Sequence, residues 1–207
     1  EMALEILLEV EKNGAYPNVL LKQTLDKYLY MEKQERAFLT RLVEGTVERK
    51  LTLEYYINNV SKTPVNKMKP VIRCIMRMAA YQIFYMDAVP DSAACNEAVK
   101  LAQKKGFQTL KGFVNGVLRN LSRQKSSIAM PDEQKEPVKA LSVQYSVPEW
   151  LVEKVIKDYG MEHAKNMFAS LYENVGATSI RVNNSKISTE ECAKLLEKEG
   201  VHVEKAA

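Results

Sequence analysis

Residues 71–86, VIRCIMRMAAYQIFYM, carry apolar side chains on nearly every side of a helix, and Pro70 precedes them at a position that suits a first helical turn. A helix that is apolar all round belongs in the middle of a protein, covered by other elements. The segments around it show the spacing of amphipathic helices, and residues 2–124 contain no strand-like alternation. The sequence therefore predicts an all-α bundle built around this helix.

Cap signals delimit the neighbouring helices. Gly14 follows the first apolar stripe, at a position typical of a helix end, and Pro17 can occupy the first turn of the second helix. Asp91 or Ser92 is a candidate N-cap for the helix that precedes Gly106. These signals predict short connections between successive helices.

The last helix of this set, residues 113–125 (FVNGVLRNLSRQK), contains a glycine that costs about 1 kcal/mol relative to alanine. One interpretation is packing: Gly116 admits a neighbouring helix, and Asn115 caps or bridges a buried backbone group. The other is functional, with Asn115 ordering arginines that meet phosphates. We favour packing for Asn115 and Gly116, and phosphate contact for Arg119 and Arg123. Replacing Asn115 by alanine should then mostly lower stability.

Composition changes after this bundle. Residues 126–137, SSIAMPDEQKEP, are polar and without periodicity, so they are predicted to be a linker. We therefore divide the chain into a first domain of residues 1–125, the linker, and a second domain of residues 138–207.

The second domain reads as helices followed by an incomplete α/β unit. Ser146 is a candidate cap, and Trp150 is expected to anchor a core with Leu151, Val155 and Phe168. Two alternating segments, ATSIRVN at 177–183 and VHVEK at 201–205, predict strands on either side of a helix. A capping box, STEE at 188–191, opens that helix. The fold class expected for the whole chain is mainly α.

Positive charge is segregated along the chain. The net charge is only +4, but two windows without acidic residues, 55–86 and 98–131, together carry +12, which leaves −8 for the rest. The basic residues are Lys62, Lys67, Lys69, Arg73 and Arg77 in the first window and Lys100, Lys104, Lys105, Lys111, Arg119, Arg123 and Lys125 in the second. Such segregation indicates a polyanionic partner, although a solvated basic face is the alternative.

Other classes of function have little support. Three scattered cysteines and two distant histidines predict a reducing cytoplasm and no metal site. No apolar run approaches the roughly 20 residues of a membrane span. Neither common phosphate-binding glycine motif occurs, and no catalytic constellation is visible. The chain opens without methionine and stops in mid-pattern, so we expect a truncated piece of a longer protein.

Four ordered segments then resemble a known family. FVNGVLRN, VPDSAACNEAVKLAQKKG, YQIFYMDAVP and ERAFLTRLVEGTVERK together resemble the NusB-type RNA-binding domain over about residues 1–125. The resemblance implies an all-helical fold that binds RNA. The founding member of that family is a transcription antitermination factor.

A second set of segments narrows the resemblance. LVEGTVERKLTLEYYI, VPEWLVEKVIKDYG and TSIRVNNSKISTEECAKLLEKEGV are similar to the N-terminal half of the bacterial ribosomal RNA cytosine-C5 methyltransferases of the RsmB (Sun/Fmu) family. The resemblance implies a cytoplasmic enzyme that uses S-adenosylmethionine in a catalytic domain beyond residue 207, where a cysteine thiolate attacks cytosine C6. We expect the present chain to bind no cofactor and to be inactive alone.

We therefore predict an RNA-binding surface and no catalytic residue in this chain. The predicted surface consists of Arg119, Arg123, Lys104, Lys105 and Lys111. Its expected partner is ribosomal RNA. Two alternatives stay open: an antitermination factor acting with RNA and a ribosomal protein, and a helical protein-interaction module whose basic face is incidental.

Overall fold

A computed structural model describes residues 1–172 and 179–204, which fall into two compact units, residues 1–171 and 172–207. Within the described residues the structure contains helices and no strand, so the all-helical bundle is confirmed. The helices are α1 Met2–Asn13, α2 Pro17–Lys27, α3 Lys33–Glu48, α4 Lys50–Val60, α5 Pro70–Tyr85, α6 Asp91–Lys104, α7 Lys111–Gln124, α8 Pro137–Tyr145, α9 Glu149–Tyr159, α10 Met161–Ser170 and α11 Thr189–Lys198. Short 3₁₀ turns occupy Val65–Lys67 and Gln108–Leu110.

Helix α5 is the centre of the bundle, as its sequence predicts. Ten of its sixteen residues are buried, and α1, α3, α4, α6 and α7 pack around it. This burial includes Cys74 and the charged side chain of Arg77. A helix surrounded on all sides must place its few polar groups against partners inside the bundle.

The glycine that permits a close approach is Gly45 on α3, not Gly116. A Cβ atom on Gly45 would lie 2.0 Å from Cζ of Tyr81 on α5, so only glycine lets this ring pack there. Gly116 faces open space, and its packing interpretation is therefore wrong. Two cap predictions fare differently: Gly14 ends α1 with φ 64°, whereas Asp91 is the first residue of α6 and not its N-cap.

Helices α8 to α10 pack onto the bundle through α4. The hydroxyl of Thr52 donates to the Val143 carbonyl over 2.6 Å, and the Leu51 N–H donates to Oγ of Ser146 over 3.0 Å. The carbonyl at the end of α8 and the N–H at the start of α4 have no partner inside their own helices, so each helix satisfies an end of the other. Ser146, predicted to cap the helix that follows it, is instead the C-cap of α8 with φ 52°, and Pro148 is the N-cap of α9.

The prediction for Trp150 is wrong. Its side chain is 66% exposed, whereas Val152, Val155 and Phe168 form the buried cluster beneath α8. On a helix, Trp150 lies two residues and about 200° away from Val152, so it points away from the buried face. Leu151 is partly buried against the same cluster.

The unit of residues 172–207 contains α11. Its predicted capping box is confirmed, because Oγ of Ser188 accepts from the Glu191 N–H and the Glu191 carboxylate accepts from the Ser188 N–H. Residues 179–183 and 201–204, the described parts of the two expected strands, are not strands. Alternation makes a segment compatible with a strand, but a strand exists only where another pairs with it. Residues 177, 178 and 205 lie outside the described residues.

Candidate nucleic-acid interface

Helices α6 and α7 form an antiparallel hairpin that carries most of the predicted surface. The Ser122 hydroxyl donates to the Asp91 carboxylate over 2.7 Å, and Nη2 of Arg119 donates to Oδ1 of Asn96 over 3.3 Å. The inner sides of both helices are buried against the bundle. Ala98 on α6 is one of these buried residues. The outer side of α7 therefore faces solvent as one continuous strip.

Arg119 is held in place by two amide side chains. Its Nε donates to Oδ1 of Asn115, one turn earlier on α7, over 3.0 Å, and Asn96 of α6 accepts from Nη2. A guanidinium has five N–H donors, so three of them are left over by these two hydrogen bonds. Asn115 therefore orders an exposed arginine, as the functional interpretation proposed, and within residues 1–172 and 179–204 it bridges no buried backbone group.

Arg123 and Lys111 share the outer side of α7 with Arg119. Arg123 is exposed and donates from Nε to the Arg119 carbonyl over 3.3 Å. Lys111 is exposed at the first residue of α7, about 18 Å from Arg123 along the helix. Among the described residues, no carboxylate forms an ion pair with any of these three side chains.

Lys104 and Lys105 lie on the other side of the hairpin, against α1. Lys104 pairs with Glu1 over 2.7 Å, and Lys105 pairs with Glu5 over 3.2 Å. The hydrogen bond from Lys104 holds the pKa of the Glu1 carboxyl below its usual range. Three of the five predicted residues thus lie along α7, and two are engaged with α1. Asn96, which sequence reasoning missed, belongs to the arginine cluster; its spacing on α6 gave no signal because its partner lies on α7.

The arginines of the first acid-free window lie inside the bundle. Arg77 pairs with Glu11 over 2.8 Å and also with Glu54, and Arg73 pairs with Glu11 over 2.6 Å. Burial raises the pKa of the Glu11 carboxyl, but the hydrogen bond and charge of Arg77 outweigh it, so that this pKa is lowered overall. Both arginines are engaged with carboxylates of α1 and α4 and lie apart from the exposed side of α7.

The remaining chemistry of the described residues points away from catalysis at thiols. Burial raises the pKa of the Cys74 thiol to about 11, and burial likewise raises the pKa of the Cys95 thiol. Within residues 1–172 and 179–204, no group of three or more metal-ligating side chains comes together. The same part of the chain has no helix long and apolar enough to cross a membrane.

S-adenosylmethionine does not fit the described residues. Nucleotide-type cofactors are commonly held where a glycine-rich turn joins a strand to a helix N-terminus. Residues 1–172 and 179–204 contain no strand to supply such a turn.

Comparison with known proteins identifies both parts of the chain. Residues 1–123 match the NusB family. The chain belongs to the NusB family. Residues 147–207 match the ferredoxin-like domain of RsmF/B-like methyltransferases, which a NusB domain by itself does not include.

The relatives of this chain are of two kinds, methyltransferases and antitermination proteins. The chain is 36% identical over 205 residues to the probable ribosomal RNA small subunit methyltransferase B of Bacillus subtilis, covering 99% of this chain and 45% of the relative. It is 32% identical to the protein of the same name from Synechocystis, covering 95% and 43%. The transcription antitermination protein NusB of Pelotomaculum thermopropionicum is 37% identical over 119 residues, which is 57% of this chain and 82% of the relative.

These matches confirm the resemblance to the methyltransferase family, and the chain spans slightly less than half the length of those relatives. Among solved structures, the crystal structure of PH0851 superimposes with a TM-score of 0.68 at 18% identity. The match covers 99% of this chain and 46% of the PH0851 chain. At this level of identity the likeness concerns the fold.

Proposed function

We propose that this chain is the RNA-recognition part of a ribosomal RNA (cytosine-C5) methyltransferase that uses S-adenosylmethionine elsewhere in the protein. The observation that carries the proposal is the order of matches in one chain, a NusB domain at 1–123 followed by an RsmF/B-like ferredoxin-like domain at 147–207. A NusB antitermination factor accounts for the first match alone, since the P. thermopropionicum protein aligns over 119 residues.

The proposed role of α7 is to bind RNA phosphates. Arg119, Arg123 and Lys111 are exposed and unpaired with carboxylates of the described residues, and Arg119 is already oriented by Asn96 and Asn115. Ordering a long side chain before binding reduces the conformational entropy that binding costs. Contacts of this kind set affinity and orientation, and they do not read base identity.

Lys104 and Lys105 can join this surface because each of their ion pairs has an exposed member. The Lys104 side chain is 66% exposed and that of Glu5, opposite Lys105, is 62% exposed, and pairs exposed in this way contribute little to stability. RNA phosphates compete readily with the Glu1 and Glu5 carboxylates for these lysines. Their share of the binding should therefore be smaller than that of α7, since each lysine gives up a partner.

A salt titration of RNA binding tests the role of α7. The double variant Arg119→Ala, Arg123→Ala should bind ribosomal RNA fragments more weakly, and its slope of log affinity against log salt should fall by roughly 0.7–0.9 for each phosphate that the variant no longer binds. The matched control is Lys22→Ala, Lys27→Ala, which removes two charges from exposed positions on α2. Equal slopes for all three proteins, with equal melting temperatures, would favour the protein-interaction module.

The place of action and the partners belong to the same proposal. We propose a cytoplasmic protein whose partner is ribosomal RNA, in keeping with the names of its methyltransferase relatives. Calorimetry of the 207-residue chain with S-adenosylmethionine should give no binding heat. Stoichiometric binding would contradict the assignment of the cofactor to another domain. Pull-down of a ribosomal protein at low salt, with no RNA bound, would instead favour the antitermination type of function.

A further inference from the structure

The loop between α4 and α5, residues 61–69, carries three exposed lysines, Lys62, Lys67 and Lys69. None of them forms an ion pair with a carboxylate of residues 1–172 or 179–204. The next basic residue of the same acid-free window, Arg73, behaves in the opposite way and turns inward to Glu11. This α4–α5 loop therefore presents three positive charges that the fold leaves to solvent.

The α4–α5 loop begins beside α7, the helix that carries Arg119 and Arg123. Nδ2 of Asn120 lies 3.4 Å from the carbonyl of Val60, the last residue of α4, and α4 packs along α7. Asn120 falls between Arg119 and Arg123 in sequence. Lys62 follows Val60 by two residues, a reach of about 7 Å. The two acid-free windows therefore adjoin in space at the start of this loop.

The α4–α5 loop is ordered by its own contacts. Val65 and Met68 are 1% and 7% exposed and anchor it to the core. The Val65 N–H donates to Oδ1 of Asn58 over 2.8 Å, and the Ser61 hydroxyl donates to the Thr63 carbonyl over 2.7 Å. Because the backbone is fixed, only the lysine side chains lose freedom when they bind a ligand.

We propose that Lys62, Lys67 and Lys69 form a second row of RNA-phosphate contacts that continues the α7 surface. This inference rests on the proposed function, and it lengthens the RNA track from one helix to a helix and an adjacent loop. The chemistry suits a phosphate backbone because lysine ammonium groups bind phosphates as point charges and need no fixed angle.

The test compares three variants of the 207-residue chain in salt titrations with one ribosomal RNA fragment. The loop variant is Lys62→Ala, Lys67→Ala, Lys69→Ala; the α7 variant is Arg119→Ala, Arg123→Ala; the third combines all five changes. The matched control removes three exposed lysines elsewhere, as Lys22→Ala, Lys27→Ala, Lys33→Ala. The loop variant should lower the salt slope by roughly 2–3, since each phosphate released from the protein contributes about 0.7–0.9.

The combined variant decides whether the two rows form one track. If they hold different phosphates of the same RNA, the slope changes should add in the combined variant. A combined change no larger than that of either parent would mean that both rows compete for the same phosphates, and it would overturn the continuation. Melting temperatures close to that of the unmodified chain verify that the exposed changes leave the fold intact.

Failure of this inference differs from failure of the proposed function. If only the α7 variant changes the slope, the loop lysines are solvated surface and the inference is overturned, while the proposed function stands. If neither variant differs from the control, both are overturned. If the loop variant loses binding to polyglutamate but not to RNA, the loop serves an acidic protein and the inference is again overturned.

Discussion

Helices α5 and α7 carry arginines from two similar sequence windows, but the arginines lie in opposite environments, one buried and one exposed. Both windows lack acidic residues, yet Arg77 of α5 is 6% exposed and paired with Glu11 and Glu54, whereas Arg119 of α7 is exposed and held by two neutral amides. The carboxylates that neutralise α5 come from α1 and α4. A window without acids in sequence is therefore not a surface without acids in space.

The first and largest test of this difference is Arg77→Ala. Removing Arg77 from this ion-pair network leaves Glu54 without its arginine and Glu11 with Arg73 alone, and the removal of one member of a buried pair typically costs about 3–5 kcal/mol of unfolding free energy. Urea denaturation measures the change. The matched variant Arg119→Ala should stay within about 0.5 kcal/mol of the unmodified chain. A similar cost for both changes would erase the distinction.

A buried and a more exposed hydroxyl give the next comparison. Thr52→Val removes the buried donor to the Val143 carbonyl and should cost about 1–3 kcal/mol, because that carbonyl is left unsatisfied. Ser122→Ala removes a hydrogen bond to Asp91, at the edge of the α6–α7 hairpin where water can replace it. Its cost should be clearly smaller in the same denaturation experiment. If Thr52→Val costs as little as Ser122→Ala, α8 is held mainly by other interactions.

Acid should weaken the ion pairs of Arg77 with Glu11 and Glu54 more than it affects the exposed side of α7. The pKa of Glu11 is lowered from its ordinary value of 4.5, so the stability it contributes is complete above pH 4.5 and is lost as pH falls through the lower, folded-state value. Melting temperature measured from pH 6 down to pH 3 should therefore fall less in Glu11→Gln, relative to its own value at pH 6. The matched variant Glu1→Gln, at an exposed pair, should leave the profile almost unchanged.

The smallest expected effect on stability is that of Asn115→Ala. Its amide contacts the exposed Arg119, so the unfolding free energy should change by less than about 0.5 kcal/mol. RNA affinity should nevertheless fall, because Arg119 loses one of the two groups that orient it. Asn115→Asp is the informative companion: it keeps an acceptor for Arg119 but adds a negative charge that should weaken RNA binding further. A destabilised Asn115→Ala with normal RNA affinity would restore the packing interpretation.

Most of the fold could be predicted from local pattern, because α5 is apolar on all sides and the caps of its neighbours are chain-local signals. What failed depends on partners far away in sequence. Gly45 matters only because Tyr81 of another helix packs on it, and Ser146 is bound by α4, 95 residues earlier. The prediction for Trp150 failed for a different reason. It rested on the apolar character of the side chain and not on the position of Trp150 around the helix, which directs it away from the buried face.

The candidate site was harder to predict than the fold. The exposure of the α7 arginines could be predicted because helical spacing places them opposite its apolar face. Sequence could not separate Lys104 and Lys105 from them, since the pairing of these lysines with α1 depends on tertiary packing. The contact of Asn96 with Arg119, and the nearness of the α4–α5 loop to α7, likewise depend on the packing of α4, α6 and α7. The division into residues 1–125, 126–137 and 138–207 stays a prediction beside the compact units of the structure.

The exchange of end groups between α4 and α8 makes the segment from 125 to 136 mechanically dispensable. Thr52 and Leu51 hold α8 directly, and the hydroxyl of Tyr55 on α4 donates to the Ala129 carbonyl over 2.9 Å. A protease that cuts once after Lys125 would sever the covalent chain while these contacts still splint its two pieces. The nicked protein should elute from a sizing column as one particle and separate only in denaturant.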